Sequence, residues 1–255
     1  MSSLLIILAA FFLPLFPASL LFNRLAAGIT RPALRLALFI VWPQIGVGLL
    51  LWGDVAPVGT IIVTWAALSA IFYAFRLLTV REVGRWSAML ASSAWPLVWL
   101  FVAQDPKATP PGAIDLVAFT LALTAAPVLM LLVRDALAQR LEAAYTGLHG
   151  GLARDLPRLS GVIVVAVLAA MALPVFPGFF ALLELLSLAT LPVALAVLLT
   201  WLLWSWAGAR LLQGTVFGPR SGPVAPDLGG GTSWVFAALL VLVVIAGLIW
   251  TGGGV

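Results

Sequence analysis

Apolar runs of roughly twenty residues, parted by short breaks rich in Pro, Gly and polar side chains, recur along this chain. They are continuous rather than alternating, so they predict helices and exclude a membrane β-barrel, whose segments alternate with a two-residue period. A bilayer core about 30 Å thick needs roughly 20 apolar residues per helix. On that ruler the first spans are Leu4–Phe22, Leu34–Trp52, Val58–Phe75, Trp86–Val102 and Ile114–Val133. Breakers such as "GDVAP" (53–57) and "QDPKATPPG" (104–112) separate them.

Between Arg134 and Ser160 the pattern changes. "RDALAQRLEAAYTGLHGGLARDLPRLS" is polar and helix-prone, then broken by Gly150, Gly151 and Pro157. It predicts a helix end continuing into an amphipathic interfacial segment. From Gly161 to Leu212 the chain is again almost wholly apolar, and three helices are predicted, with breaks at Pro177-Gly178 and at Pro192. A last span, Ser233–Trp250, follows the loop "GPRSGPVAPDLGGG". The expected fold is an all-α polytopic membrane protein of nine helices, eight if 179–191 does not cross. Its expected parts are a five-helix part (1–133), an interfacial connection (134–160) and a C-terminal membrane part (161–255) with a Pro/Gly-broken region near 174–192.

Composition agrees with this class. Of 255 residues 64% are hydrophobic and 9% charged, a share that no water-soluble fold of this size hides. There is no cysteine, hence no disulfide or thiolate metal site, and the single histidine, His149, cannot assemble a metal or haem site alone. No cofactor is expected. The net charge of +4 is read as membrane topology rather than nucleic-acid binding. Arg24, Arg31, Arg35, Arg76, Arg81, Arg85, Arg134, Arg140, Arg154 and Arg158 fall on one side under either helix count, and Lys107 on the other. Arg210 and Arg220 join the majority with eight helices and leave it with nine. The positive-inside rule then puts the majority side in the cytoplasm and the N-terminus outside, in a multi-pass protein of the cytoplasmic (inner) membrane. Residues 1–3 carry no basic n-region, so the first helix is expected to be uncleaved. Trp52, Trp86, Trp99, Trp234 and Trp250 fall near predicted ends, as interfacial indoles do.

Three ordered stretches carry a resemblance. "GLHGGLARDLPRL" (147–159), with Gly150, Gly151, Leu152 and Pro157, resembles the Gly-Gly-Leu-x-x-x-x-Pro connection of the antiporter-like subunits of respiratory complex I and of Mrp-type cation/proton antiporters. "LAAMALPVFPGFFALLELL" (168–186) resembles the next element, where a helix ends in a Pro/Gly turn (Pro174, Pro177, Gly178) and a second begins Gly-Phe at Phe179. "ARLLQGTVFGP" (209–219), with Arg210, Phe217 and Gly218, is similar to a helix end reading Arg, a few residues, then Phe-Gly. The resemblance implies a membrane subunit related to proton- or sodium-translocating machinery. In that family an ion path follows ionisable residues on broken helices near mid-membrane, where helix-dipole ends accommodate charge.

Glu184 and His149 are the candidate ion-path residues, since intramembrane ionisable groups are costly and His titrates near neutrality. The resemblance implies a lysine or glutamate four residues after the glycine of Gly-Phe, a position held here by Leu182. Glu184 lies two residues further, about 200° around a helix at 100° per residue. The preceding helix offers only Thr120 and Thr124 where the family implies a histidine or lysine. Gln44, beside Pro43, is expected to bond a carbonyl freed by the proline kink. Trp201, Trp204 and Trp206 are expected to pack against lipid or neighbouring helices, and "DLGGGT" (227–232) to be a flexible loop. No catalytic constellation of the chain's own is expected. The expectation is therefore a shortened, charge-depleted subunit of an ion-translocating complex of the complex I, Mrp, hydrogenase or inorganic-carbon-uptake kind. It would be structural or coupling rather than conducting alone, with other membrane subunits and the bilayer as partners. The alternatives are an autonomous small-solute or ion transporter and, third, a membrane enzyme acting on a lipid around Arg134–Arg158.

Overall fold

A computed structural model describes residues 2–53, 58–103, 112–141, 143–148, 150–218 and 225–252. Lys107, His149 and Arg220 lie outside the described residues. The described chain is helical, in order α1 (Ser2–Phe12), α2 (Ser19–Gly28), α3 (Pro32–Trp52), α4 (Thr60–Leu77), α5 (Val83–Ala94), α6 (Pro96–Val102), α7 (Ala113–Leu141), α8 (Leu152–Asp155), α9 (Pro157–Ala170), α10 (Pro177–Leu188), α11 (Leu191–Thr215) and α12 (Gly230–Gly252). Five of these are long and apolar enough to cross a membrane: α3, α4, α7, α11 and α12.

The remaining predicted spans are split, each at proline. The run 4–22 becomes α1 and α2, parted by the residues around Pro14 and Pro17. Proline has no N–H to give and its ring crowds the preceding turn, so two within four positions end a helix. The run 86–102 becomes α5 and α6, a single kink at Pro96 across which Trp95 N still donates to Ala91 O at 3.0 Å. Between α9 and α10 lies a true interruption, where Ala172 and Val175 take φ of 49° and 80°. A second, shorter break at 189–190 lies just before Pro192. Pro192 itself stands in the first turn of α11, where a missing N–H costs nothing.

In segment 134–160, α7 continues to Leu141. The chain then pairs in extended form, with a bridge between Glu82 and Tyr145 and with Thr146 N donating to Arg81 O at 2.8 Å.

The helices pack as a bundle whose centre is aromatic. Phe22 meets Trp95 edge-on at 4.7 Å, and Phe101 stacks on Phe119 at 4.2 Å. Trp86 and Trp99, expected at the interface, are instead buried at 2% and 0% exposure. An indole can sit there because its N–H finds a partner, as Trp99 Nε1 does on Leu13 O at 3.0 Å. Three glycines permit close approach. A Cβ on Gly46, Gly208 or Gly247 would lie 2.7 Å or less from Leu13, Met171 or Val175 O respectively. Small residues at helix contacts let backbones come together without a side chain between them, the usual membrane solution.

The basic ends gather at one pole. Arg35 of α3 meets Asp135 of α7, and Arg134 meets Glu82 before α5. Arg210 of α11 lines a recess with Arg81, and Arg158 at the start of α9 holds the 227–228 loop before α12.

Candidate functional site

Interrupted helices expose backbone N–H and C=O groups, and inside a bilayer each needs a partner from the protein. The first interruption, 13–18, is capped almost group by group. Leu13 O accepts from Trp99 Nε1, Phe16 N donates to Ser69 Oγ at 3.0 Å, and Phe16 O accepts from Trp65 Nε1. Beyond it, Ser19 Oγ and Tyr73 Oη share a hydrogen bond of 2.6 Å, both buried. Asn23 continues the line, its Nδ2 donating to Ser19 O at 2.9 Å and Ser92 Oγ at 3.0 Å. Its Oδ1 is buried with no protein partner among the described residues.

Asn23 also lines a cleft of about 410 Å³ at the basic pole, with Arg35, Glu82, Arg85, Arg134 and Tyr145. Two of the cleft's arginines, Arg35 and Arg134, are held by carboxylates. Arg35, 5% exposed, donates from Nη1 to Asp135 Oδ1 at 3.3 Å, from Nε to Ile29 O and from Nη2 to Thr30 O. Arg134 Nη1 reaches the same Asp135 oxygen at 2.8 Å, and its Nε lies 3.6 Å from Glu82 Oε1. Glu82 in turn caps α5 by accepting from Gly84 N and Arg85 N. A carboxylate at a helix N-terminus satisfies orphan donors and meets the favourable end of the helix dipole. A chain of hydroxyl and amide groups thus runs from a charged cleft to the first interruption, with no ionisable side chain except Tyr73 along it.

The second interruption, 171–176, lies between α9 and α10. Met171 O accepts from Trp201 Nε1 at 2.9 Å, Trp201 meets Phe179 edge-on at 5.7 Å, and α12 presses Gly247 against Val175 O and Pro177 N. Pro177 opens α10, and Gly178 sits near Ala172 Cβ and Ala122 O. On α10, Leu182 and Leu185 are fully buried, whereas Glu184 turns away from them and is half-buried. That is the offset its register implied.

The structure brings two of the three motifs together. Gly147 N donates to Gly214 O at 2.8 Å, Gly151 N to Phe217 O at 3.3 Å and Ala153 N to Val216 O at 3.2 Å, so the Gly-Gly-Leu and Phe-Gly stretches hold each other. Gly151 (φ 71°) and Gly218 (φ 102°) take the left-handed backbone that glycine adopts freely. Leu152 is buried, Pro157 begins α9, and Arg210 is exposed on α11. Asp227, in the expected flexible loop, accepts from Arg158 N at 2.9 Å and Leu159 N at 3.1 Å, capping α9 from outside. Burial pushes its carboxyl up, but the backbone donors of Arg158, Leu228 and Leu159 and the Arg158 charge outweigh this and hold it below its ordinary 3.8.

Sequence reasoning missed the first interruption, although Pro14 and Pro17 announce it. It also missed the serines that cap it, since a lone serine in an apolar run carries no signal of what it will face. Gln44 does not bond a freed carbonyl: both its side-chain polar atoms are buried without a partner among the described residues, and α3 runs unbroken through Pro43. Of the three tryptophans on α11, Trp201 and Trp204 hydrogen-bond inward, to Met171 O and Ser93 Oγ, and only Trp206 is exposed.

No protein-family model matches the sequence, and neither does any curated protein. Solved structures do match. A chain of respiratory complex I from Thermus thermophilus superposes with a TM-score of 0.78 at 22% identity, over 95% of this chain and 53% of that one. A chain of an archaeal membrane-bound sulfane sulfur reductase gives 0.77 at 18%, over 96% and 51%. A chain of the Mrp complex from a Dietzia species gives 0.79 at 15%, over 97% and 56%. This chain, which spans about half the length of each of those chains, shares their fold.

Proposed function

We propose that the protein is an integral membrane subunit of a proton- or cation-translocating complex of the complex I, Mrp or related kind, acting as a structural or coupling element rather than conducting alone. The observation that carries this is the superposition of 95–97% of the chain on membrane chains of three such respiratory or Mrp complexes. The capping supports the non-conducting half of the reading. Backbone groups are engaged at both interruptions, by Trp65, Ser69 and Trp99 at the first and by Trp201 at the second, and Leu182 fills the position where the resemblance implies a charge. Glu184, half-buried and out of register, is then a structural carboxylate.

Eight crossings suit the reading better than nine. The segments α9 and α10, of 14 and 12 residues, serve together as one interrupted crossing, and Arg210 then joins Arg81 on the cytoplasmic side. The N-terminus lies outside, in a cytoplasmic membrane, as the positive-inside rule requires. The division into 1–133, 134–160 and 161–255 is kept as the working description of its parts. Other membrane subunits are its partners. An autonomous transporter would need polar groups converging at mid-membrane, and many of the described interior hydroxyls are instead bonded to neighbouring backbone or side chains.

The test is native purification of the tagged protein in mild detergent with mass spectrometry of what accompanies it. Recovery with larger membrane subunits is expected. Recovery as a folded, monodisperse protein with no companion overturns the proposal.

A further inference from the structure

A second recess opens at the basic pole, about 490 Å³ in volume, between the end of α4, the extended residues 79–81, residues 146–147 and α11. Its chemistry differs from that of the cleft around Asp135. Arg81 and Arg210 both line it, both are exposed, and among the described residues no carboxylate lies within 4 Å of either. The hydroxyls beside them are already engaged, Thr79 Oγ1 with Arg76 O and Thr146 Oγ1 with Arg81 O. The donors left without a partner among the described residues are therefore two guanidiniums, whose planar forks match phosphate oxygens.

The frame is built rather than incidental. Residue 81 is tied to 146 by Thr146 N to Arg81 O at 2.8 Å, and 147 to α11 by Gly147 N to Gly214 O at 2.8 Å. The two arginines thus stand on elements locked to each other. Apolar residues complete the recess: Leu77, Ala207, Leu211 and the indole of Trp86. Helical register continues it along the membrane surface. Phe72 and Phe75 precede Thr79 on one face of α4, and Leu202 and Trp206 precede Arg210 on one face of α11, all four exposed at 40% or more.

A cationic mouth over an apolar furrow is the shape of an anionic lipid. We propose that this recess binds the phosphodiester headgroup of an anionic phospholipid between Arg81 and Arg210, with its acyl chains along Phe75, Leu202 and Trp206. The site needs only the bilayer orientation proposed above, not membership of a complex, and lipid retention is read whether or not partners co-purify. The two readings can therefore fail separately.

The experiment uses the full chain in neutral detergent, incubated with phosphatidylglycerol or phosphatidylcholine of the same acyl chains, and native mass spectrometry of retained lipid. Phosphatidylglycerol is expected to be retained over phosphatidylcholine. Near-surface arginines are worth about 1 kcal/mol each toward anionic lipid, so Arg81→Gln and Arg210→Gln should each lower retention about fivefold. Arg81→Lys and Arg210→Lys should retain most of it, and their melting temperatures should match the wild type. Equal retention of the two lipids, or unchanged phosphatidylglycerol retention in the Gln variants, overturns the site. So does full displacement by an equal concentration of inorganic phosphate, which would mark a small-anion site. Loss of a co-purifying protein from the Gln variants with lipid retention unchanged would assign the recess to an acidic partner segment, and also overturns it.

Discussion

Asp135 stands between two arginines, and removing it should expose how the basic pole is held. Arg35 is 5% exposed, with Asp135 at 3.3 Å and only two neutral acceptors besides, Ile29 O at 3.1 Å and Thr30 O at 3.3 Å. Arg134 is better placed to lose a partner, because its side chain is 30% exposed and Glu82 lies 3.6 Å away. Asp135→Ala therefore strands one buried guanidinium, not two. Breaking a buried ion pair from one side costs about 3–5 kcal/mol, and surviving carbonyl bonds worth about 1 kcal/mol each bring the expected loss to about 2–3 kcal/mol. Arg35→Met in the Asp135→Ala background removes the stranded charge and keeps an apolar stem of similar length. The double variant should then lie within about 1 kcal/mol of wild type. The assay is unfolding by denaturant in mild detergent, followed by tryptophan fluorescence. A single variant within about 0.5 kcal/mol of wild type refutes the reasoning, as does a double variant less stable than Asp135→Ala.

Four further outcomes follow from the same geometry. Trp99→Phe keeps the ring but orphans Leu13 O, and should cost about 1–3 kcal/mol in the same assay. Gly247→Ala drives a Cβ to 2.5 Å from Val175 O, so the α12 contact must shift at a cost of about 1–3 kcal/mol, read as a lower melting temperature. Asp227 titrates below 3.8 when folded, so its stabilisation is present above that pH and is lost as pH falls through the folded value. Asp227→Asn should be less stable than wild type at neutral pH, and melting curves of the two should converge in acid. Glu184→Gln should leave proton flux of the assembled complex unchanged in a vesicle dye assay; loss of flux would make α10 a conducting element.

Hydropathy and proline positions explain why so much of the fold was legible. α3, α4, α7, α11 and α12 lie where their apolar runs predicted, because a run long enough to cross a bilayer satisfies its own backbone only as a helix. The register of α10 was equally readable. Glu184 sits two residues from Leu182, and helical geometry alone turns it from the buried face that Leu182 and Leu185 share. The Gln44 expectation failed because sequence distance to Pro43 says nothing of which neighbouring helix fills the space.

Sequence by itself determined the class, the five long apolar helices, the basic pole and the existence of a broken region around Pro174–Gly178. These follow from local rules: apolar length, absent proline donors and the cost of moving arginine across a membrane. Only the tertiary structure decided what caps the breaks and which charges remain unpaired. Ser69 reaches Phe16 and Trp99 reaches Leu13 across 53 and 86 residues of chain, and Asp135 neutralises Arg35 across 100. Arg81 and Arg210 look no different in sequence from Arg35, yet they face no described carboxylate. Hydrogen bonds and ion pairs act over a few ångströms, and only the packing of the helices sets which side chains come that close.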